Sequence, residues 1–144
     1  MLLTRECDYG IRIVRALSCD TKKTIEIIAE EEHIPQKFAY KIIKKLAQSN
    51  LVRSVRGRTG GYHLNKPLND FTLYDIVMAV DNERYIIDCL RPDFKCQFRD
   101  IPDNRCAVHT EILHIQDKVA SALSAKTMDI ILQRQDNIGD DTHV

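Results

Sequence analysis

No stretch of this chain approaches the roughly 18 consecutive apolar residues that a membrane-spanning helix needs, so such a span is not expected. The opening residues, Met1 to Asp8, lack an apolar signal core and a small-residue cleavage site, which argues against export and for a cytoplasmic protein. There is no net charge, with 21 Lys plus Arg against 21 Asp plus Glu. Internal repeats and low-complexity segments are absent. So are a nucleophile–base pair, a phosphate-binding Gly loop and a carboxylate pair in a credible setting, and an enzyme is therefore not expected. The five cysteines are an odd number with no close Cys-x2-4-Cys pair and no dense ferredoxin-like run. In a chain retained in the cell they read as reduced thiols or metal ligands rather than as a disulfide frame.

What is present begins with an uneven distribution of charge. Residues 1–66 hold 13 basic and 7 acidic side chains, net +6, whereas residues 67–144 are net −6. A basic half can face a polyanion such as double-stranded DNA. In that half, apolar residues recur at helical spacing from Thr4 to Leu17, on two stripes. Thr24 can cap a short second helix with Ile25, Ile28 and Ala29 inward and Glu30, Glu31 and Glu32 outward. Pro35 suits the first turn of a third helix running to about Ser49, with Phe38, Ile42, Ile43, Leu46 and Ala47 as its apolar stripe. Only Glu32-His33-Ile34 separates these two helices, which is the helix-turn-helix arrangement. A hairpin follows, in which Leu51–Arg56 and Tyr62–Leu64 flank the Gly-rich tip Gly57-Arg58-Thr59-Gly60-Gly61. A Lys-rich helix face is ordinarily just solvated, but a tight turn does not need Arg56 and Arg58. The expected DNA-facing set is Gln36, Lys37, Tyr40, Lys41 and Lys44 on the third helix. Arg56, Arg58, Thr59 and Gly60 on the wing would reach the minor groove or its phosphates.

Further on, Asn69 or Asp70 opens a helix reaching Ala79. Periodicity fails from Asp81 to Arg105, and one long helix is expected from Cys106 to about Arg134. A helix of that length in a small chain implies a partner helix, hence a homodimer. The expected fold class is mainly α: a winged helix-turn-helix with a two-stranded wing and a long C-terminal dimerisation helix. Its parts are residues 1–80 for DNA binding, 81–107 for a cysteine-bearing loop, 108–134 for dimerisation and 135–144 as a disordered tail. Cys89, Cys96 and Cys106 are separated by six and nine intervening residues and followed by His109. Spaced thiolates on a loop can wrap an iron–sulfur cluster, leaving one position for His109, Asp8, Glu6 or an external ligand. Cys7 reads as a buried inert thiol. A thiol redox switch, another metal and a cluster carrier are the alternative uses of the loop cysteines.

These motifs together resemble the Rrf2 family of bacterial transcription regulators. Leu3-Thr4 with Asp8-Tyr9 and Ile11-Arg12 is similar to the family's start. Ile34-Pro35, Phe38 and Lys41–Leu46 resemble its recognition helix, and Arg56–Tyr62 with Leu64 resemble its wing. Leu73–Ile76 with Ala79-Val80 resemble its next helix, and the loop cysteines with Cys106-x2-His109 its cluster-binding region. The resemblance covers residues 1–134. It implies a homodimeric, DNA-binding repressor controlled by a 4Fe–4S or a 2Fe–2S cluster that senses redox state, nitric oxide or cluster supply. It also implies that Cys89, Cys96 and Cys106 ligate the cluster. Asp8 matches the nitric oxide–sensing branch, in which a carboxylate from the partner's first helix completes the site, and His109 matches the cluster-sensing branch. Ala39 stands where the family often has a larger apolar residue.

Overall fold

Helix α1 (Arg5–Ala16) starts where Thr4 accepts a hydrogen bond from the Cys7 amide, and α2 (Ile25–Glu31) where Thr24 accepts from Ile27. The computed structural model describes residues 3–19, 21–81, 83, 85–98 and 106–138, with side chains to Gln133. Helix α3 (Gln36–Gln48) follows Pro35, which sits one position before the helix rather than in its first turn. The Pro35 carbonyl accepts from the Phe38 and Ala39 amides. The tight turn between α2 and α3 passes through His33 at φ 51°, and α3 closes through Asn50 at φ 58°, a left-handed stop. Strands β1 (Val52–Val55) and β2 (Gly61–Leu64) pair antiparallel with Val52 opposite Leu64 and Val55 opposite Gly61. Lys23 adds a short third rung against Tyr62, with backbone hydrogen bonds in both directions.

The stretch expected to begin a helix at Asn69 or Asp70 is instead a single 3-10 turn, Leu68–Asp70. Phe71 is then extended and buried, and α4 (Leu73–Val80) begins at Thr72 with a full capping box to Asp75. A second 3-10 turn spans Asp88–Leu90. The single long helix expected from Cys106 to Arg134 is two helices, α5 (Ala107–Ser124) and α6 (Met128–Ile138). The break is tertiary in origin. Thr127 bridges Thr72, the Met128 amide donates to the Phe71 carbonyl, and the Met128 side chain is fully buried. Helical structure continues to Ile138, past the expected end, and the remainder of the expected tail lies outside the described residues.

The core joins Ile13 and Val14 of α1 and Leu17 just beyond it to Ile28 of α2, Ala39, Ile42, Ile43 and Leu46 of α3, and Phe71, Ile76, Val80 and Met128. Two expectations change here. Phe38 is exposed, its ring tilted against that of Tyr9 with centroids 6.0 Å apart, while the buried slot on that turn belongs to Ala39. The small side chain lets α3 sit close to its neighbours. Glu32, expected to face water, is buried, because Arg15 of α1 holds both its carboxylate oxygens and Arg12 donates to its carbonyl. A smaller cluster, Cys7 and Val77, is covered by Tyr74, Met78, Ile86, Val119, Ala120 and Leu123. Cys7 is thus the buried thiol the sequence suggests. No α5 residue is fully buried, and Val108, Leu113 and Ile115 are exposed.

Candidate nucleic-acid interface and cysteine loop

The buried arc of α3 fixes its opposite face. With Ala39, Ile42, Ile43 and Leu46 inward, Gln36, Lys37, Tyr40, Lys41 and Lys44 are all exposed. Their side chains are nonetheless organised. Gln36 donates to Glu26 of α2 at 3.3 Å, and Lys44 lies 4.4 Å from the Tyr40 ring centroid, a cation–π contact. A shallow cleft of about 460 Å³ opens beside them, lined by Ile25, Glu26, Gln36, Lys37 and Tyr40. Lys41 is paired with Glu6 of α1, which also receives Lys45. Lys37 makes no ion pair among the described residues.

The wing depends on its glycines. Gly57 has φ +116°, which an L side chain rarely adopts. A Cβ on Gly61 would sit 2.9 Å from the Lys23 carbonyl oxygen, so the third rung requires glycine there. Lys22 donates to the Thr59 carbonyl at 3.3 Å and steadies the tip. Arg56, Arg58 and Thr59 are exposed and Gly60 half-buried; neither arginine makes an ion pair among the described residues. The structure therefore presents an exposed lysine-rich helix face and an exposed Arg-Gly loop. The parts Lys22 and Lys23 play escape sequence reading, since neither lies within the hairpin.

Cys89 sits in the Asp88–Leu90 turn, Cys96 follows it, and Cys106 is the residue that caps α5, with His109 in the first turn. All four are half-buried. The loop is braced internally and tied to α5. Arg91 pairs with Glu83 and Asp88, and the Ile86 amide donates to Gln116 of α5 at 3.1 Å. Among the described residues no three His, Cys, Asp or Glu side chains are gathered as a metal site, and residues 99–105 between Cys96 and Cys106 lie outside them. Asp8 is exposed on α1 and forms a two-point pair with Arg12 at 3.0 Å. Among the described residues no helix is long and apolar enough to cross a membrane.

A helix-turn-helix whose second helix leaves a basic face open, continued by a basic wing, defines a winged-helix DNA-binding protein. CymR, the global cysteine regulator of B. subtilis, has a similar structure, with a TM-score of 0.73 at 19% identity over 93% of this chain and 98% of that one. A family model described as Rrf2, iron-dependent transcriptional regulator, matches residues 3–134, and the chain belongs to the Rrf2 family. It is thus a DNA-binding transcription regulator in a family made up of such regulators. Protein aau3 of Rhizobium meliloti (strain 1021) is 25% identical over 96% of this chain and 89% of its own. The transcriptional regulator IscR of Pectobacterium atrosepticum is 29% identical over 78% of this chain and 67% of its own.

Proposed function

We propose that this regulator acts as a cytoplasmic homodimer, most simply a repressor, whose affinity for double-stranded DNA is controlled by an iron–sulfur cluster. The observation that carries the reading is the placement of Cys89, Cys96 and Cys106. All three are half-buried and outside the apolar core, on a segment braced by Arg91 and tied to α5. Their donor chemistry fits the group. Thiolates are soft ligands suited to iron–sulfur clusters, and Cys106 stands at the N-terminus of α5. These three residues would hold the cluster, which when bound supplies an iron centre open to oxidants and nitric oxide. The chain's own task is transmission. The Arg91 pairs brace the loop internally, and through the Ile86–Gln116 hydrogen bond a change in its path reaches α5.

Asp8 is the fourth ligand in this reading, contributed from the partner's α1, with His109 the second candidate. A carboxylate binds such iron more weakly than a thiolate, which suits a ligand lost on sensing. Asp8 would exchange Arg12 for the metal. The uncovered apolar residues Val108, Leu113 and Ile115 of α5 support dimerisation. In the DNA complex Gln36, Lys37, Tyr40, Lys41 and Lys44 enter the major groove, and Arg56, Arg58, Thr59 and Gly60 meet the minor groove or its phosphates.

Oxygen-free purification with iron and sulfide analysis, followed by duplex binding before and after cluster removal, tests the proposal. A brown protein whose DNA affinity changes on cluster loss is expected. A colourless protein whose binding follows thiol oxidation points to a redox switch, and a cluster protein that ignores DNA to a carrier. Asp8→Ala should shift the cluster spectrum more than His109→Ala; the reverse order reassigns the ligand.

A further inference from the structure

Among the described residues, Lys41 is the one cation on the open face of α3 that is tied to a carboxylate. Glu6 accepts from Lys41 at 2.5 Å on Oε1 and from Lys45 at 2.8 Å on Oε2. The two lysines are not equivalent. Lys45 also donates to the Val80 carbonyl at 2.7 Å, so it links α3 to α1 and α4 and is anchored. Lys41 has no other acceptor among the described residues, and its side chain is 56% exposed against 30% for Lys45. Facing two ammonium groups, the Glu6 carboxylate is ionised at neutral pH as an ordinary glutamate is. Glu6 and Lys41 stand 35 residues apart in the chain, which is why no sequence pattern reveals the contact.

We propose that Glu6 is a specificity-determining residue for DNA binding: its carboxylate holds Lys41 as a phosphate would, so that non-specific duplex gains nothing from Lys41. Non-specific affinity comes almost wholly from neutralising phosphates. A phosphate that takes Lys41 must displace an existing charge-assisted hydrogen bond of the same kind, an exchange with little net gain. Lys45, anchored on Val80, keeps Glu6 in position throughout. Glu6 thereby lowers the electrostatic background without touching a base, and it raises the ratio of specific to non-specific binding. The proposal rests on the reading that the open face of α3 meets DNA.

The test is the affinity of the full chain for a mixed-sequence duplex across a salt series. The proteins compared are wild type, Glu6→Gln, Lys41→Ala, the double variant and Lys37→Ala. Glu6→Gln keeps the shape and an oxygen acceptor for Lys45. It should steepen the plot of log affinity against log salt by about 0.9, the value of one added phosphate contact. Binding at low salt should tighten roughly two- to fivefold, the scale of an exposed ion pair. The double variant should fall back to the slope of Lys41→Ala, which assigns the added contact to Lys41. An unchanged or shallower slope for Glu6→Gln overturns the proposal, as does a steeper slope that persists in the double variant. Lys41→Ala is an independent check that does not need the Glu6 variant to fold: if it alone removes a full contact from the slope, Lys41 already reaches phosphate past Glu6, and the proposal fails. Lys37→Ala separates the two readings. A slope shallower by about 0.9 places the α3 face on DNA, whereas no change removes that reading and the role of Glu6 with it.

Discussion

Replacing Gly10 by alanine sets two effects of opposite sign against each other. Alanine is the better helix former by about 0.5–1 kcal/mol in a helix interior. Gly10, however, is buried where α1 crosses α4. A Cβ there would lie 2.8 Å from Val80 Cγ2 and 3.3 Å from Ile76 Cγ2. Both neighbours are β-branched and stiff at χ1, and both are buried, at 1% and 0% exposure, so neither can swing clear. Forcing a methyl into such a contact costs typically about 1–3 kcal/mol. The clash wins, and Gly10→Ala should lower stability by about 1 kcal/mol, read as a lower urea midpoint with an unchanged slope. Val80→Ala destabilises by itself through the cavity it leaves. The double variant should nevertheless be more stable than the two losses combined predict, because the methyl now enters the space Val80 vacates. Stabilisation by Gly10→Ala, or strict additivity with Val80→Ala, would refute the helix-crossing argument.

Arg58→Ala should weaken binding to a selected operator by roughly 1–3 kcal/mol with helical content unchanged, measured by titration at about physiological salt. Ile115→Asp should convert a dimer to monomers in sedimentation while preserving the fold. Ile115 is exposed in the single chain, whereas Val119 is half-buried against the Cys7–Val77 cluster and would report on folding instead. For acid stability, the Glu6 carboxyl is held below its ordinary value of 4.5 by Lys41 and Lys45. Its contribution is therefore present above that value and is lost as pH falls through the depressed one. Thermal unfolding against pH should show a shallower acid loss for Glu6→Gln than for wild type, and identical curves would contradict the pairing.

Local chemistry was legible wherever neighbours in sequence are also neighbours in space. Thr24 caps α2 because a hydroxyl meets an amide three residues on, and the short turn before α3 and the Gly-rich wing tip follow from the same short range. The apolar repeat of α3 predicted its buried arc to within a position, with Ala39 rather than Phe38 inward, whereas that of α1 missed the buried Gly10. The loop cysteines stood out by their clustering alone. What sequence could not place were pairings across long separations. Nothing in the pattern signals that Glu32 turns inward onto Arg15, that Lys23 extends the wing, or that Glu6 takes hold of Lys41. The break before Met128 belongs with these. An apolar repeat cannot distinguish one long helix from two when the interruption is made by Phe71 and Thr72, more than fifty residues earlier. Periodicity records which side of an element avoids water, and this chain's sequence determined that much. Which partner fills that side, and which charges meet at its edges, was decided by packing in three dimensions.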